Sequence, residues 1–209
     1  MNRAIQQFKV NLQSAQHLGV IYLAFSDKVT EAIPLDELLR AEMVLAVSAL
    51  DCYVHDLVRI GMARAFAAMA DEPNAFLNFG VSLGFVKSLR TCTSEIDTLA
   101  LVDQEIRRLN AFKTFQSADS ISQSLSLIGI NGIWDKVGGA IGATSADTRT
   151  RLNIIVDRRN RIAHEGDIDP TMGIGIKYPI DVTMVQSAIG FIDAVVHSIQ
   201  GIVEREIAF

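Results

Sequence analysis

The segment Arg158-Arg159-Asn160-Arg161-Ile162-Ala163-His164 brings two kinds of reactive group into one short stretch of chain. A histidine can take the proton from an RNA 2′-hydroxyl or give one to a leaving oxygen. An arginine can hold a phosphate through two parallel hydrogen bonds and stabilise the charge that grows on it in the transition state. Arg159 and His164 together suit cleavage of a ribose phosphodiester without a metal. The 2′-hydroxyl would attack the adjacent phosphate and leave a cyclic phosphate end. Asn160 lies four residues before His164 and would be its neighbour on a helix, shaping the site. Arg151, Arg158 and Arg161, with Arg149, could line a path for RNA phosphates. Plainer roles exist for all of them. Arg159 could be half of a buried ion pair, and His164 a cation favoured by a helix C-terminus. Asn160 could be a C-terminal cap, and the other arginines a solvated face.

These residues need a helix to present them. Ser145 is the expected N-cap, with Asp147 favourable in the first turn and the helix running to about Ala163. At about 100° per residue, Leu152, Ile155, Val156 and Ile162 share an apolar stripe. Arg159 lies four residues after Ile155 and three before Ile162, on that same stripe. A guanidinium turned toward a core is costly unless a carboxylate meets it. Asp51 and Asp56, on an earlier helix, are the expected partners, with Glu42 behind them. Asp157, Asn160 and His164 occupy the opposite, polar side. Arg159 and His164 stand about 140° apart on an ideal helix. They converge only if the helix ends or distorts there, or if a ligand is gripped between them. Gly166 just beyond makes a helix end plausible.

The rest of the chain supplies the frame. Residues 3–25 read as a helix with Ile5, Phe8, Leu12, Ala15, Leu18 and Tyr22 on one face. Pro34 closes the connection, and residues 35–70 carry a long helical pattern. Met43, Val47, Leu50, Val54 and Leu57 draw its buried stripe. Pro73, Gly80 and Gly84 mark a break. Shorter helices follow near 82–90, 95–115, 118–128 and 132–141, with Trp134 as a core anchor. Residues 166–180 hold three glycines and two prolines and read as a loop. Asp181 caps a last helix, where Val182, Val185, Ile189, Ile192, Val196, Ile199 and Val203 alternate steps of three and four. Such a seam suits a bundle core or a subunit interface.

Composition narrows the classes. Of 209 residues, 49% are hydrophobic, 7% are aromatic and four are proline, which suits a core of aliphatic residues in packed helices. The fold class is all-α, a single helical domain over 1–209. The net charge of −5 would not attract nucleic acid as a whole, so any RNA contact must be local to the arginines. Cys52 and Cys92 have no metal-type or disulfide spacing, which fits a reducing cytoplasm, and Cys52 reads as a small core residue. Asp51 and His55 are four apart and could form a metal site with His164, although such a pair is ordinarily a surface contact. No metal and no cofactor is expected. His17 and His197 show no partner pattern. The N-terminus lacks the apolar stretch of a signal peptide, and Asp193 and His197 argue against the last helix lying in a membrane.

Arg159-Asn160-x-x-x-His164 resembles the R-x(4–6)-H motif of the HEPN superfamily. The wider string RRNRIAHEGD, with SALDCYVHDLVR earlier, is similar to its RiboL-PSP-HEPN branch. That resemblance covers nearly the whole chain. It implies an antiparallel helical bundle that dimerises, with the two motifs facing each other in a shared cleft. Many such proteins are RNA-cleaving toxins or anti-phage effectors, which brings an antitoxin or regulatory protein into view as a partner. Others bind without cutting. Some toxins of the superfamily carry a tyrosine two places after the histidine, where an antitoxin modifies it. Gly166 holds that place here, so regulation by that route is not expected. The expected function is thus a cytoplasmic, homodimeric, metal-independent endoribonuclease. The alternatives are a non-catalytic module binding RNA, a nucleotide or a protein, and a purely structural dimerisation protein that leaves the arginines unexplained.

Overall fold

The computed structural model describes residues 2–28, 33–68 and 72–207. Among the described residues the chain forms α1 (Asn2–Phe25), α2 (Asp36–Ala68), α3 (Asn74–Leu77), α4 (Leu83–Leu89) and α5 (Glu95–Asn110). These are followed by α6 (Ala118–Ser126), α7 (Ile133–Ile141), α8 (Ser145–Glu165) and α9 (Val182–Glu206), with no strand among the described residues. The expected helices are present within a few residues, and the single-turn α3 was not anticipated. Met69 and Ala70, expected at the end of the second helix, lie outside the described residues.

The long helix α2 is the centre of the bundle. Asp36 and Glu37 place negative charge at its N-terminus, where the helix dipole favours it. Its stripe of Met43, Val47, Leu50, Val54 and Leu57 is buried, and so are Leu39, Ala46, Ala49 and Val58. A helix apolar on so many sides must be surrounded, and α2 packs against α1, α5, α6, α8 and α9. Tyr53 on α2 meets Phe8 of α1 edge-on at 5.8 Å and donates its hydroxyl hydrogen to Gln200 of α9 at 3.0 Å. Each buried Leu, Ile or Val in this core contributes about 1.5–3 kcal/mol.

Asp181 caps α9 by accepting from the Met184 amide at 2.8 Å. By length and composition α9 could cross a membrane. Its seam from Val185 to Val203 is instead buried in the bundle against α1, α2 and α7. Trp134 is buried on α7 and donates to the Ala118 carbonyl at 2.8 Å, tying α7 to α6. Residues 166–180 are more ordered than a plain loop. An antiparallel bridge joins Ile168 to Lys177, and the Tyr178 amide donates to the Asp167 carbonyl at 2.9 Å.

Candidate active site

Helix α8 carries the candidate residues. Its cap is Thr144, one residue earlier than expected, whose hydroxyl accepts from the Asp147 amide at 3.1 Å. Thr148, Leu152, Ile155 and Val156 are buried and Ile162 packs against the core, so the apolar stripe faces inward. The helix continues through His164 to Glu165 before Gly166 turns it off in the left-handed region, at φ +65°. It therefore does not end between Arg159 and His164. Arg159 is half-buried and His164 is exposed on another side of the same helix.

Arg158, not Arg159, makes the charged contact with the interior. Asp167 follows Gly166 with φ +60°, a second left-handed residue, and its side chain has no exposed surface. One carboxylate oxygen, Oδ2, accepts from Arg158 Nη2 and from Arg40 Nε of α2, both at 2.8 Å. The two guanidiniums also donate to nearby carbonyls, Arg40 to Tyr178 at 2.8 Å and Arg158 to Pro179 at 3.0 Å. Arg158 and Arg161 lie over the Tyr178 ring at 5.3 and 5.6 Å. A carboxylate this buried is tolerated because two guanidiniums meet its Oδ2, while Oδ1 is left without a hydrogen-bond partner. The clamp closes the chain after α8 onto α2. Sequence reasoning missed both Arg40 and Asp167. The available signal was an acid directly after the glycine that ends an arginine-rich helix.

The expected carboxylate partners of Arg159 are elsewhere. Asp51 accepts the Phe115 amide, and Asp56 pairs with Arg59 at 3.1 Å. Arg59 also pairs with Asp103 of α5. This face of α2 therefore serves α5 and the segment after it. Glu42 lines a groove bordered by α1 and α9. Arg159 itself donates from Nη1 to Asn160 Oδ1 at 3.0 Å, while its buried Nε has no hydrogen-bond partner. Among the described residues no hydrogen bond or ion pair engages His164. By helix spacing its neighbours are Asn160 and Arg161.

Further expectations are corrected. Cys52 is exposed rather than a core residue, because it falls on the flank of α2 beside Asp51. His55 stacks on Phe115 at 4.2 Å and lies 3.9 Å from Asp51, an arrangement that turns it toward the segment after α5. His197 does have a partner, the Asp193 carboxylate at 3.2 Å one turn away. Among the described residues no group of three or more His, Cys, Asp or Glu is placed to hold a metal ion.

Beside the motif, Arg151, Arg158 and Arg161 border a groove of about 450 Å³ that also exposes Ile154 and Met184. Arg151 lies over the Phe191 ring at 4.5 Å and donates to the Ser187 hydroxyl at 2.9 Å. Arg149 pairs with Asp119 at 2.7 Å, away from the groove. The arrangement offers a half-buried arginine with spare donors, an exposed histidine able to move a proton, and two exposed arginines able to meet phosphate. A family model described as RiboL-PSP-HEPN matches residues 11–205 of the chain. Neither a curated protein nor a solved structure matches it.

Proposed function

We propose that this chain, which belongs to the RiboL-PSP-HEPN family, is a metal-independent endoribonuclease acting through Arg159 and His164. The observation that carries the reading is the free His164 at the end of α8, one turn from the Arg159–Asn160 pair. His164 takes the 2′-hydroxyl proton or protonates the leaving oxygen. Arg159 directs its remaining donors to the phosphate, while Asn160 holds one edge of the guanidinium. Arg161 and Arg151, both exposed, meet neighbouring phosphates and offset the acidic net charge locally. Arg158 contributes structure through Asp167 more than RNA contact.

The working unit in this reading is a homodimer. Arg159 faces inward and His164 outward on one regular helix, so a single protomer offers an incomplete clamp around a phosphate. A two-fold axis near the end of α8 would bring a second set within reach, because an isologous contact repeats every residue. A role in toxin or phage-defence biology, in the cytoplasm and under a regulatory partner, goes with this activity. The rival is a non-catalytic RNA-, nucleotide- or protein-binding dimer. It is favoured by one observation, that Arg149, Arg151 and Arg158 are already tethered within the chain.

The test is incubation with single-stranded RNA in excess EDTA, followed by mapping of the new ends. The reading expects cleavage with cyclic phosphate termini. Cleavage that returns only when a divalent ion is restored would remove the metal-free mechanism, and binding without cleavage would favour the rival.

A further inference from the structure

On the other side of α2, Glu42 is 4% exposed and lines a groove of about 680 Å³ between α1 and α9. The helices are close there. A Cβ added to Gly19 of α1 would lie 2.5 Å from Glu42 Oε2, so a bare backbone at residue 19 is what admits the carboxyl. The charged groups facing the groove are Lys9 of α1 and Asp193 and His197 of α9. Asp193 and His197 are occupied with each other at 3.2 Å. Among the described residues nothing bonds to the Glu42 side chain, Lys9 included. Asp167, by contrast, has no exposed surface and is met by two arginines. Burial without a partner pushes the Glu42 carboxyl up to about 7. Around it, Gln16 and Gln186 offer amide oxygens, and Leu12, Val20, Leu23 and Ile189 offer an apolar bed.

We propose that this groove is a binding site for an organic cation, an ammonium or guanidinium on an alkyl stem, with its charged head against Glu42. A buried acid with no partner is satisfied by a cation that arrives from outside, and the apolar wall shelters the stem. The amide oxygens accept the remaining head-group hydrogens. Helix α8 contributes nothing to the groove, so the site stands apart from the candidate catalytic residues. Because the carboxyl is partly protonated near neutral pH, binding a cation ionises it and releases a proton.

The same head-group chemistry can come from a free amine or from a lysine side chain of a partner, and the probes separate the two. Calorimetric titrations at pH 7 use 1,4-diaminobutane, butylguanidinium and a capped Leu-Lys-Leu peptide, with butyrate and butanol as charge controls. Each is run in two buffers of different ionisation enthalpy, and the 13C resonance of the Glu42 carboxyl reports the site. The cations bind with proton release and shift that resonance, while butyrate and butanol do not. Tighter binding of the diamine assigns the site to a free amine, and tighter binding of the peptide assigns it to a partner's side chain. Glu42→Gln keeps the shape, weakens cation binding about 10- to 100-fold and abolishes the proton release. Gly19→Ala, which displaces the carboxyl without changing charge, weakens it as well. The proposal is overturned if no cation binds, if butanol binds equally well, or if Glu42→Gln leaves affinity and proton release unchanged.

Discussion

Arg158 and Arg159 are adjacent in sequence and lead different lives. Arg158 points into a clamp where the buried Asp167 also holds Arg40, and its Nη2 donates to nearby carbonyls as well, although its buried Nε, like that of Arg159, has no partner. Arg159 makes one neutral contact, with Asn160, and leaves a buried nitrogen unsatisfied; nearby His164 is exposed and unengaged. Neighbouring positions on a helix differ by about 100°, enough to send one side chain into a structural network and the next past it. The difference teaches where to look for chemistry. Groups locked into charge pairs hold the fold, whereas groups without a charged partner and with donors or protons to spare can act on a ligand.

The comparison breaks most visibly at Asp167. Asp167→Ala leaves Arg158 and Arg40 facing each other without the carboxylate, and stability should fall by about 3–5 kcal/mol in denaturant unfolding. Asp167→Asn restores a residue tolerant of positive φ but not the charge, so it should recover only part of the loss. Arg159→Ala should do the reverse. RNA cleavage should fall about 100- to 1,000-fold, as for loss of one charge-stabilising donor, while stability stays within about 1 kcal/mol. A large stability loss at Arg159 with unchanged cleavage would exchange the roles assigned to the two arginines.

Glu42 sharpens the comparison as a buried acid without the cations that Asp167 has. Its pKa is raised from 4.5 to about 7 in the fold, so the folded state holds the proton more tightly than the unfolded chain. Stability from this group is therefore present at low pH and declines as pH rises from about 4.5 through 7. Glu42→Gln should gain about 1–3 kcal/mol at pH 8 and little at pH 4. Paired unfolding curves at the two pH values measure it. A loss at pH 8 would mean that the carboxylate has a stabilising partner.

The helical frame was largely legible in the sequence. The α9 seam, the buried stripe of α2 and the Asp181 cap follow from local spacing, and α8 was displaced by only one residue at its start. Positions around the α8 wheel were legible too, since the burial of Leu152, Ile155 and Val156 matches the stripe. What spacing does not encode is which neighbour each face of α2 meets. Asp51 and Asp56 were assigned to α8 but belong to the side that packs on α5. The Arg40–Asp167 contact joins positions 127 residues apart through two successive left-handed residues, and no local pattern points across that gap. Cys52 was misjudged for a related reason, because an apolar helix still has a flank that nothing covers.

The central claim is that the chemistry lies with the unengaged group at the end of α8 rather than with the clamp beside it. His164→Ala tests this most directly, measured for RNA cleavage in EDTA and for unfolding on the same preparation. Loss of a general acid–base group predicts a fall in rate of about 100- to 10,000-fold. With no hydrogen bond or ion pair to lose among the described residues, the unfolding midpoint should move little. A variant that cleaves RNA at the wild-type rate while remaining folded would contradict the account.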